Sequence, residues 1–258
     1  MTFRRIALVA WHAFVESAQA RIFYGVAIFV LLLVATALVA GPLSAGEDVK
    51  IVKDVGLALV EVAGVLMAVI MGVGVIARET DRRSILSLLA KPLPRWEFIV
   101  GTYAGLVMTI VASVAMMGTG LLTVLAFTGG ADLRLTVALS MIAGELALLV
   151  AVAVFFSVFS SSALVSVVLT VGVFVAGQLS ADLRSFGSIG DVPAWVASAM
   201  ALVGWALPDF SGFDIKAQVV HGEPVGREAV TLTLAYGALY ATGLIAGAVA
   251  LFSRREFR

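Results

Sequence analysis

The sequence predicts an all-helical integral membrane protein with six transmembrane helices. Hydrophobic residues make up 61% of the 258 positions and charged residues only 13%, whereas a soluble domain carries about 25% charged residues. Long charge-free runs recur along the chain, and basic residues are unevenly distributed among the segments between them. A chain this apolar has no room for a soluble catalytic domain, so we expect it to act in or beside the bilayer. Its 17 basic and 17 acidic residues balance, and no nucleic-acid partner is expected.

Each predicted span is long enough for the roughly 20 apolar residues that cross about 30 Å of hydrocarbon. Three runs carry no charge, a fourth contains only Glu61, and the stretch 135–181 contains only Glu145. That stretch is too long for one crossing, and the serines at 160–162 suit a turn that divides it. The six predicted spans are residues 22–41, 55–77, 98–127, 134–159, 163–181 and 229–252.

Two further helices are expected to lie at the membrane surface. Residues 3–20 place apolar side chains on one helical face and polar ones on the other, which is typical of an amphipathic interfacial helix. Residues 194–207 lie between two prolines and reach only about 21 Å as a helix, which is short of a crossing. We interpret them as an interfacial or re-entrant helix anchored by Trp195 and Trp205.

The distribution of Lys and Arg predicts the orientation. Most of the 17 basic residues lie in the two termini and in the loop 78–97, which share one side if six helices cross the membrane. The positive-inside rule places that side in the cytoplasm. We therefore expect a multi-pass protein of the cell (inner) membrane with both termini cytoplasmic.

The loop between spans two and three carries the densest basic cluster, in the sequence RETDRRSILSLLAKPLPRWEF at 78–98. On a helix, Ile85, Leu88 and Leu89 share one face, while Arg82 and Arg83 point elsewhere, and the prolines of KPLPR end the helix. Such a helix suits a groove on a partner protein. A positive-inside signal packed on lipid headgroups is an equal alternative.

The same loop resembles that of ABC-2 type permeases. It shares their pattern of a Glu, a later Leu-Leu, a Pro, an Arg and a Gly that opens the next span. The matching residues are Glu79, Leu88, Leu89, Pro92, Arg95 and Gly101. Ser84-Ile85 and Thr102 depart from the commoner Thr-Leu and Lys. The sequence LPDFSGFDIKAQVVHG at 207–222 is similar to the external segment of a subfamily that includes permeases of copper-enzyme maturation systems.

The resemblance implies the membrane subunit of an ATP-driven exporter, with the loop as a coupling helix on a separate cytoplasmic ATPase. Two copies of that ATPase would bind ATP and Mg, and a second permease subunit, in a homodimer or a mixed pair, would complete the transporter. The nearest P-loop match, GPLSAGED at 41–48, has Glu47 where Lys is required. The expected docking residues, in the coupling segment 79–95, are Glu79, Arg82, Arg83, Ile85, Leu88, Leu89, Pro92 and Arg95.

The external segment, residues 182–228, is expected to cap the outer mouth and to offer a contact to a periplasmic or extracellular partner. Its most family-like residues are Asp209, Phe210, Phe213, His221 and Gly222.

Two acids fall within predicted spans, where a charge costs a few kcal/mol, so each suggests a function. Glu145 is expected near the middle of span four, either lining a translocation pathway or serving as a protonated structural acid. Glu61 is expected about a turn and a half inside the outer end of span two, where reaching the outer interface is favoured over a pathway. Neither span offers Lys or Arg, so protonation or hydrogen bonding to Ser, Thr or backbone is expected.

Two other function classes compete with the permease. An ion-coupled secondary transporter would use Glu145 as its carrier, and an intramembrane enzyme would need a nucleophile and a base within the bilayer. The chain has no Cys, and its two histidines, His12 and His221, fall on opposite sides of the membrane. We therefore expect no catalytic, metal or cofactor site. The small-xxx-small patterns at 101–105 and 243–247 suit packing within the chain or dimerisation equally.

Overall fold

The computed structural model describes residues 2–17, 26, 28–29, 31–36, 48–81, 94–127, 129–130, 132–160, 162–185 and 193–254. Within these residues all regular secondary structure is helical, as predicted. The α-helices are α1 (Thr2–Ser17), α2 (Asp48–Asp81), α3 (Arg95–Phe127), α4 (Arg134–Phe159), α5 (Ala163–Gln178), α6 (Ser180–Ser185), α7 (Ala194–Ala206), α8 (Lys216–Val220) and α9 (Arg227–Arg254). One 3-10 turn, Ser211–Phe213, precedes α8.

Four of these helices are long and apolar enough to cross a membrane. Their candidate spans are Val49–Gly74, Trp96–Phe127, Arg134–Phe159 and Arg227–Ser253. Helix α5 is also apolar but has only 16 residues. The predicted first span, 22–41, lies largely outside the described residues. The described part of the chain therefore supports a multi-pass membrane protein.

Helix α4 is the central helix of the bundle. It packs against α2, α3, α5 and α9, and it is buried on most faces because it is apolar around its whole circumference. Helix α2 approaches it closely through glycine: a Cβ built on Gly72 would lie 2.5 Å from the Cβ of Ala153. Beside that contact the Ser157 hydroxyl donates to the Val73 carbonyl at 3.0 Å. Small residues and one interhelical hydrogen bond thus join α2 to the centre.

Helix α1 packs along the first turns of α3. A Cβ on Gly101 would lie 2.8 Å from the Cβ of Val9, and one on Gly105 would lie 2.4 Å from the carbonyl oxygen of Ala10. The first small-xxx-small pattern therefore serves packing within the chain. In the second pattern, Gly243 faces open space.

Residues 208–220 insert between α4, α5 and α9. We call them the re-entrant segment, and they follow the short helix predicted at 194–207. A Cβ on Gly237 of α9 would lie 2.7 Å from Cζ of Phe213, and one on Gly144 of α4 would lie 3.2 Å from Cε1 of the same ring. Each glycine lies about 15 Å along its helix from the first residue. Part of the predicted external segment therefore packs within the helix bundle, and its role as a cap of the outer mouth stays a prediction.

Helix α7 precedes the re-entrant segment and has 13 residues, which is about 20 Å and too short to cross a bilayer. Its large apolar side chains face outward: Trp195 is 75% exposed and Trp205 is 73% exposed. Insertion of this face into the membrane interface stays a prediction.

Candidate functional site

Five polar side chains meet where the re-entrant segment enters the bundle. We call this group the polar cluster, and its members come from α2, α4, α5 and the re-entrant segment: Glu61, Glu145, Gln178, Asp214 and Lys216. Glu61, the member on α2, lies 13 positions after Asp48, the first residue of the helix, which is about 20 Å along it. The cluster runs from the bundle interior to the surface: Glu145 is buried, whereas the Asp214 side chain is 52% exposed.

Glu61 forms an ion pair and hydrogen bond with the ammonium group of Lys216. The Glu61 side chain is 14% exposed and that of Lys216 is 20% exposed. A second carboxylate oxygen, Oδ1 of Asp214, lies 3.6 Å from the same ammonium nitrogen. The short helix α8 begins at Lys216, so this pair links the re-entrant segment to the middle of α2.

The pKa of Lys216 is raised above its usual value of 10.5. Burial by itself acts to lower it, but the hydrogen bond to Glu61 and the negative charges of Glu61, Asp214 and Glu145 outweigh burial. Since the pKa is raised, the stability that this interaction contributes is fully present below pH 10.5 and is lost only as the pH rises through the folded-state value. Lys216 is therefore charged at neutral pH.

Glu145 is the most buried member of the cluster, at 2% exposed. Its Oε1 accepts a hydrogen bond of 2.6 Å from the amide of Gln178, the last residue of α5. The expected partners were Ser, Thr or backbone, and the structure provides a side-chain amide; the expected protonation stays a prediction. A Gln within an apolar helix is a visible signal for such a partner, because a buried amide needs an acceptor.

Glu61 has a basic partner that the sequence analysis did not predict. Glu61 lies on α2, 13 positions after Asp48, and its depth relative to the outer interface stays a prediction. Its basic partner comes from a segment 155 positions away. Lys216 is the only Lys or Arg in 207–222, where charges alternate with aromatic and aliphatic residues, and that alternation was the available signal.

A second charged contact fixes the start of the re-entrant segment. The Arg184 guanidinium on α6 pairs with the Asp209 carboxylate, and it also lies 5.3 Å from the centroid of the Trp205 ring on α7. The pKa of Asp209 is lowered: burial acts to raise it, but hydrogen bonds from Ser211, Arg184 and Ser180 outweigh that effect. Arg184 was not singled out from the sequence, and it joins α6, α7 and the re-entrant segment.

The five predicted external residues occupy different environments. Phe210 and Phe213 are buried, and the Phe210 ring packs edge-on against Phe174 of α5 at 5.2 Å between centroids. His221 is exposed, with Nδ1 2.8 Å from the Ala217 carbonyl oxygen. Gly222 has φ +75°, which favours glycine, and its carbonyl accepts a hydrogen bond from Arg134.

Most of the predicted ATPase-docking residues lie outside the described residues. These are Arg82, Arg83, Ile85, Leu88, Leu89 and Pro92. The backbone of Glu79 lies in the last turn of α2, and that of Arg95 begins α3. The coupling segment therefore connects two long helices of the bundle.

Next to this segment, sequence reasoning missed a buried acid. Glu97, in the first turn of α3, is 1% exposed. Within the described part of the chain its Oε2 has no hydrogen-bond partner. A carboxylate at a helix N-terminus is favourably placed relative to the helix dipole.

An apolar groove of about 570 Å³ lies between α2 and the described residues of the first predicted span. Ile28, Phe29 and Leu32 line one side, and apolar residues of α2 from Leu59 to Met71 line the other. Its volume is within the range of small-molecule sites, about 300–1,000 Å³. The groove offers a hydrophobic molecule almost no polar contacts.

A bundle with four helices long and apolar enough to cross a membrane is typical of a multi-pass membrane protein. A model of the family described as ABC-2 family transporter protein matches residues 7–190, which is most of the chain. The chain therefore belongs to the ABC-2 transporter family. Its members are membrane subunits that generally lack an ATPase site of their own and associate with an ABC ATPase. No curated protein matches the chain.

Proposed function

We propose that this chain is the membrane-spanning permease subunit of an ATP-driven exporter. The family match over residues 7–190 carries this proposal. ATP and Mg bind to two copies of a cytoplasmic ATPase, and the energy reaches this chain through mechanical contact. Six helices form half of a transporter, so a second permease subunit, most simply another copy, completes the pathway.

The coupling segment 79–95 is the proposed docking site. Ile85, Leu88 and Leu89 fill a groove on the ATPase, and the arginines around them orient the contact. The structure supports this proposal because α2 and α3, which flank the segment, both pack against α4. The 34-residue helix α2 also carries Glu61 of the polar cluster. Movement of the coupling segment can therefore be transmitted along a continuous helix to the interior of the bundle.

The remaining features of the proposal follow from composition and resemblance. Both termini are cytoplasmic in the cell (inner) membrane, and residues around 182–228 face outward, where a periplasmic or extracellular partner would bind. The copper-enzyme maturation subfamily rests on residues 207–222, which lie beyond the family match. The apolar groove favours a lipid, a hydrophobic peptide or a hydrophobic drug as the exported molecule.

The decisive experiment isolates the tagged chain from its native membranes in mild detergent. We expect a P-loop protein to co-purify in stoichiometric amount, and we expect Leu88→Asp to abolish that association while leaving the permease folded. The reason is that a charge on the apolar face cannot enter a hydrophobic groove without a large desolvation cost. Association is measured by quantitative mass spectrometry of the purified material.

The matched control is Ser87→Asp, which adds the same charge beside Leu88 but on another face of the predicted helix. It should retain the ATPase. Normal association of a folded Leu88→Asp variant contradicts the docking proposal, and reproducible absence of any ATPase contradicts the exporter.

A second candidate function is an ion-coupled secondary transporter with Glu145 as the carrier. The observation that favours it is the burial of this carboxylate within a candidate span, beside Gln178. Transport that follows an ion gradient and survives ATP depletion would select this function over the exporter.

A further inference from the structure

Besides the Arg184–Asp209 pair at its start, the re-entrant segment contacts the bundle in two ways. The first kind is neutral: the Phe213 ring lies against Gly144 and Gly237, and the backbone amide of Phe210 donates to the Gly177 carbonyl at 3.3 Å. These contacts are apolar or involve neutral backbone. The second kind is the partly buried ion pair between Lys216 and Glu61.

The ion pair differs from the aromatic contacts in what happens when the segment moves. The aromatic contacts are non-directional, and they weaken in proportion to the apolar area that is exposed. Withdrawal of Lys216 instead removes the basic partner of Glu61, a mostly buried carboxylate within a candidate span, with the Glu145 carboxyl in the same cluster. An uncompensated charge there is strongly unfavourable.

We propose that Lys216 is the positioning residue of an outer gate: its ion pair with Glu61 holds the re-entrant segment inside the bundle, and the gate opens when this pair breaks. This inference rests on the proposed function, since a gate belongs to a transport pathway. It adds that α2 joins the coupling segment at one end to the gate contact in its middle. Movement of α2 relative to α8 is therefore the step that frees the segment.

The absence of cysteine from the sequence allows a direct test with a single reporter thiol. Val219 lies on α8 and is 1% exposed, so Val219→Cys reacts with a hydrophilic maleimide only when the segment leaves its seat. The labelling rate is measured on the full-length protein in lipid nanodiscs without nucleotide. The parent is Val219→Cys alone, and the test variant adds Lys216→Met, which keeps the length of the side chain but removes its charge.

We expect Lys216→Met to raise the labelling rate by about tenfold or more, because it removes one partner of a partly buried ion pair and leaves the Glu61 carboxylate uncompensated. Lys216→Arg and the exchanged pair Glu61→Lys with Lys216→Glu should label at close to the parent rate. The matched control is Lys53→Met, which removes a lysine of the same helix α2 that lies 3.6 Å from Asp132. It should leave the rate unchanged.

Equal rates for Lys216→Met and its parent overturn the gate contact, as does failure of both Lys216→Arg and the exchanged pair to restore slow labelling. A final arm adds ATP to the co-purified permease and ATPase, where we expect faster labelling of Val219→Cys. If ATP does not change the labelling rate in a complex that hydrolyses ATP, the role of this gate in transport is overturned. If no ATPase co-purifies, the exporter itself fails, whereas the nucleotide-free comparison still decides the contact.

Discussion

At the scale of single residues, the interior of this protein is organised by side chains that satisfy each other across long distances in sequence. Glu145 and Gln178 are 33 positions apart, and Glu61 and Lys216 are 155 apart. A buried polar group without a partner costs about 1–3 kcal/mol. Pairing of these groups therefore lowers the cost of placing polar side chains in the bundle.

Substitution of Glu145 separates its structural role from a role as ion carrier. We expect Glu145→Gln to retain the thermal stability of the protein, because the new amide carbonyl accepts the same hydrogen bond from Gln178. Glu145→Leu should lower the free energy of unfolding by about 1–3 kcal/mol, because the Gln178 amide loses its acceptor. Thermal unfolding in detergent measures both, and Glu228→Gln at an exposed position is the control.

The same variants distinguish the two candidate functions. An exporter driven by ATP should keep its ATPase activity with Glu145→Gln. An ion-coupled transporter should lose gradient-driven transport, because the amide cannot bind and release a proton or cation. A large loss of stability in Glu145→Gln would contradict the hydrogen bond as described.

At the scale of elements, glycines set how closely the helices approach. The pattern at 101–105 was equally compatible with dimerisation, and the structure uses it to seat α1 on α3. The spacing of the small residues shows only that one face of the helix lacks large side chains. Which helix covers that face depends on the arrangement of the whole chain.

Gly105→Leu should displace α1 from α3. A Cβ at position 105 would lie 2.4 Å from the Ala10 carbonyl oxygen, and backbone cannot yield as a flexible side chain can. We expect amide hydrogen exchange in α1 to accelerate while exchange in α4 stays slow, as measured by mass spectrometry. The control is Gly120→Leu on the same helix, where the nearest atom is Cε1 of Phe29 at 3.9 Å. Unchanged exchange in α1 would show that it does not depend on this contact.

At the scale of the whole molecule, orientation is the property that the distribution of charge predicts. Ser162, between α4 and α5, and Glu223, after α8, are both exposed. The predicted topology places them on opposite sides of the membrane. An impermeant maleimide applied to intact cells should label Glu223→Cys and leave Ser162→Cys unlabelled until the membrane is opened. The reverse pattern would place the termini outside.

The sequence by itself determined that this protein lies in a membrane and that it is helical. Composition and the lengths of the apolar runs require a membrane, and in a membrane the backbone must satisfy its own hydrogen bonds, which favours helices. The serines at 160–162 marked the boundary between α4 and α5, which end and begin at Phe159 and Ala163. The loop sequence at 78–98 led to the ABC-2 family, which the match over 7–190 shows.

Only the tertiary structure decided what the intramembrane acids contact and how deep the re-entrant segment lies. A hydropathy pattern records each residue's preference for lipid or water, but it contains no information about partners that approach from elsewhere in the chain. Hydropathy alone does not place Lys216 in a span, because charges alternate with apolar residues around it, yet it contacts the bundle together with the buried Phe213. The physical reason is that a charge is tolerated in the interior when an opposite charge meets it there, and that meeting is a property of the fold.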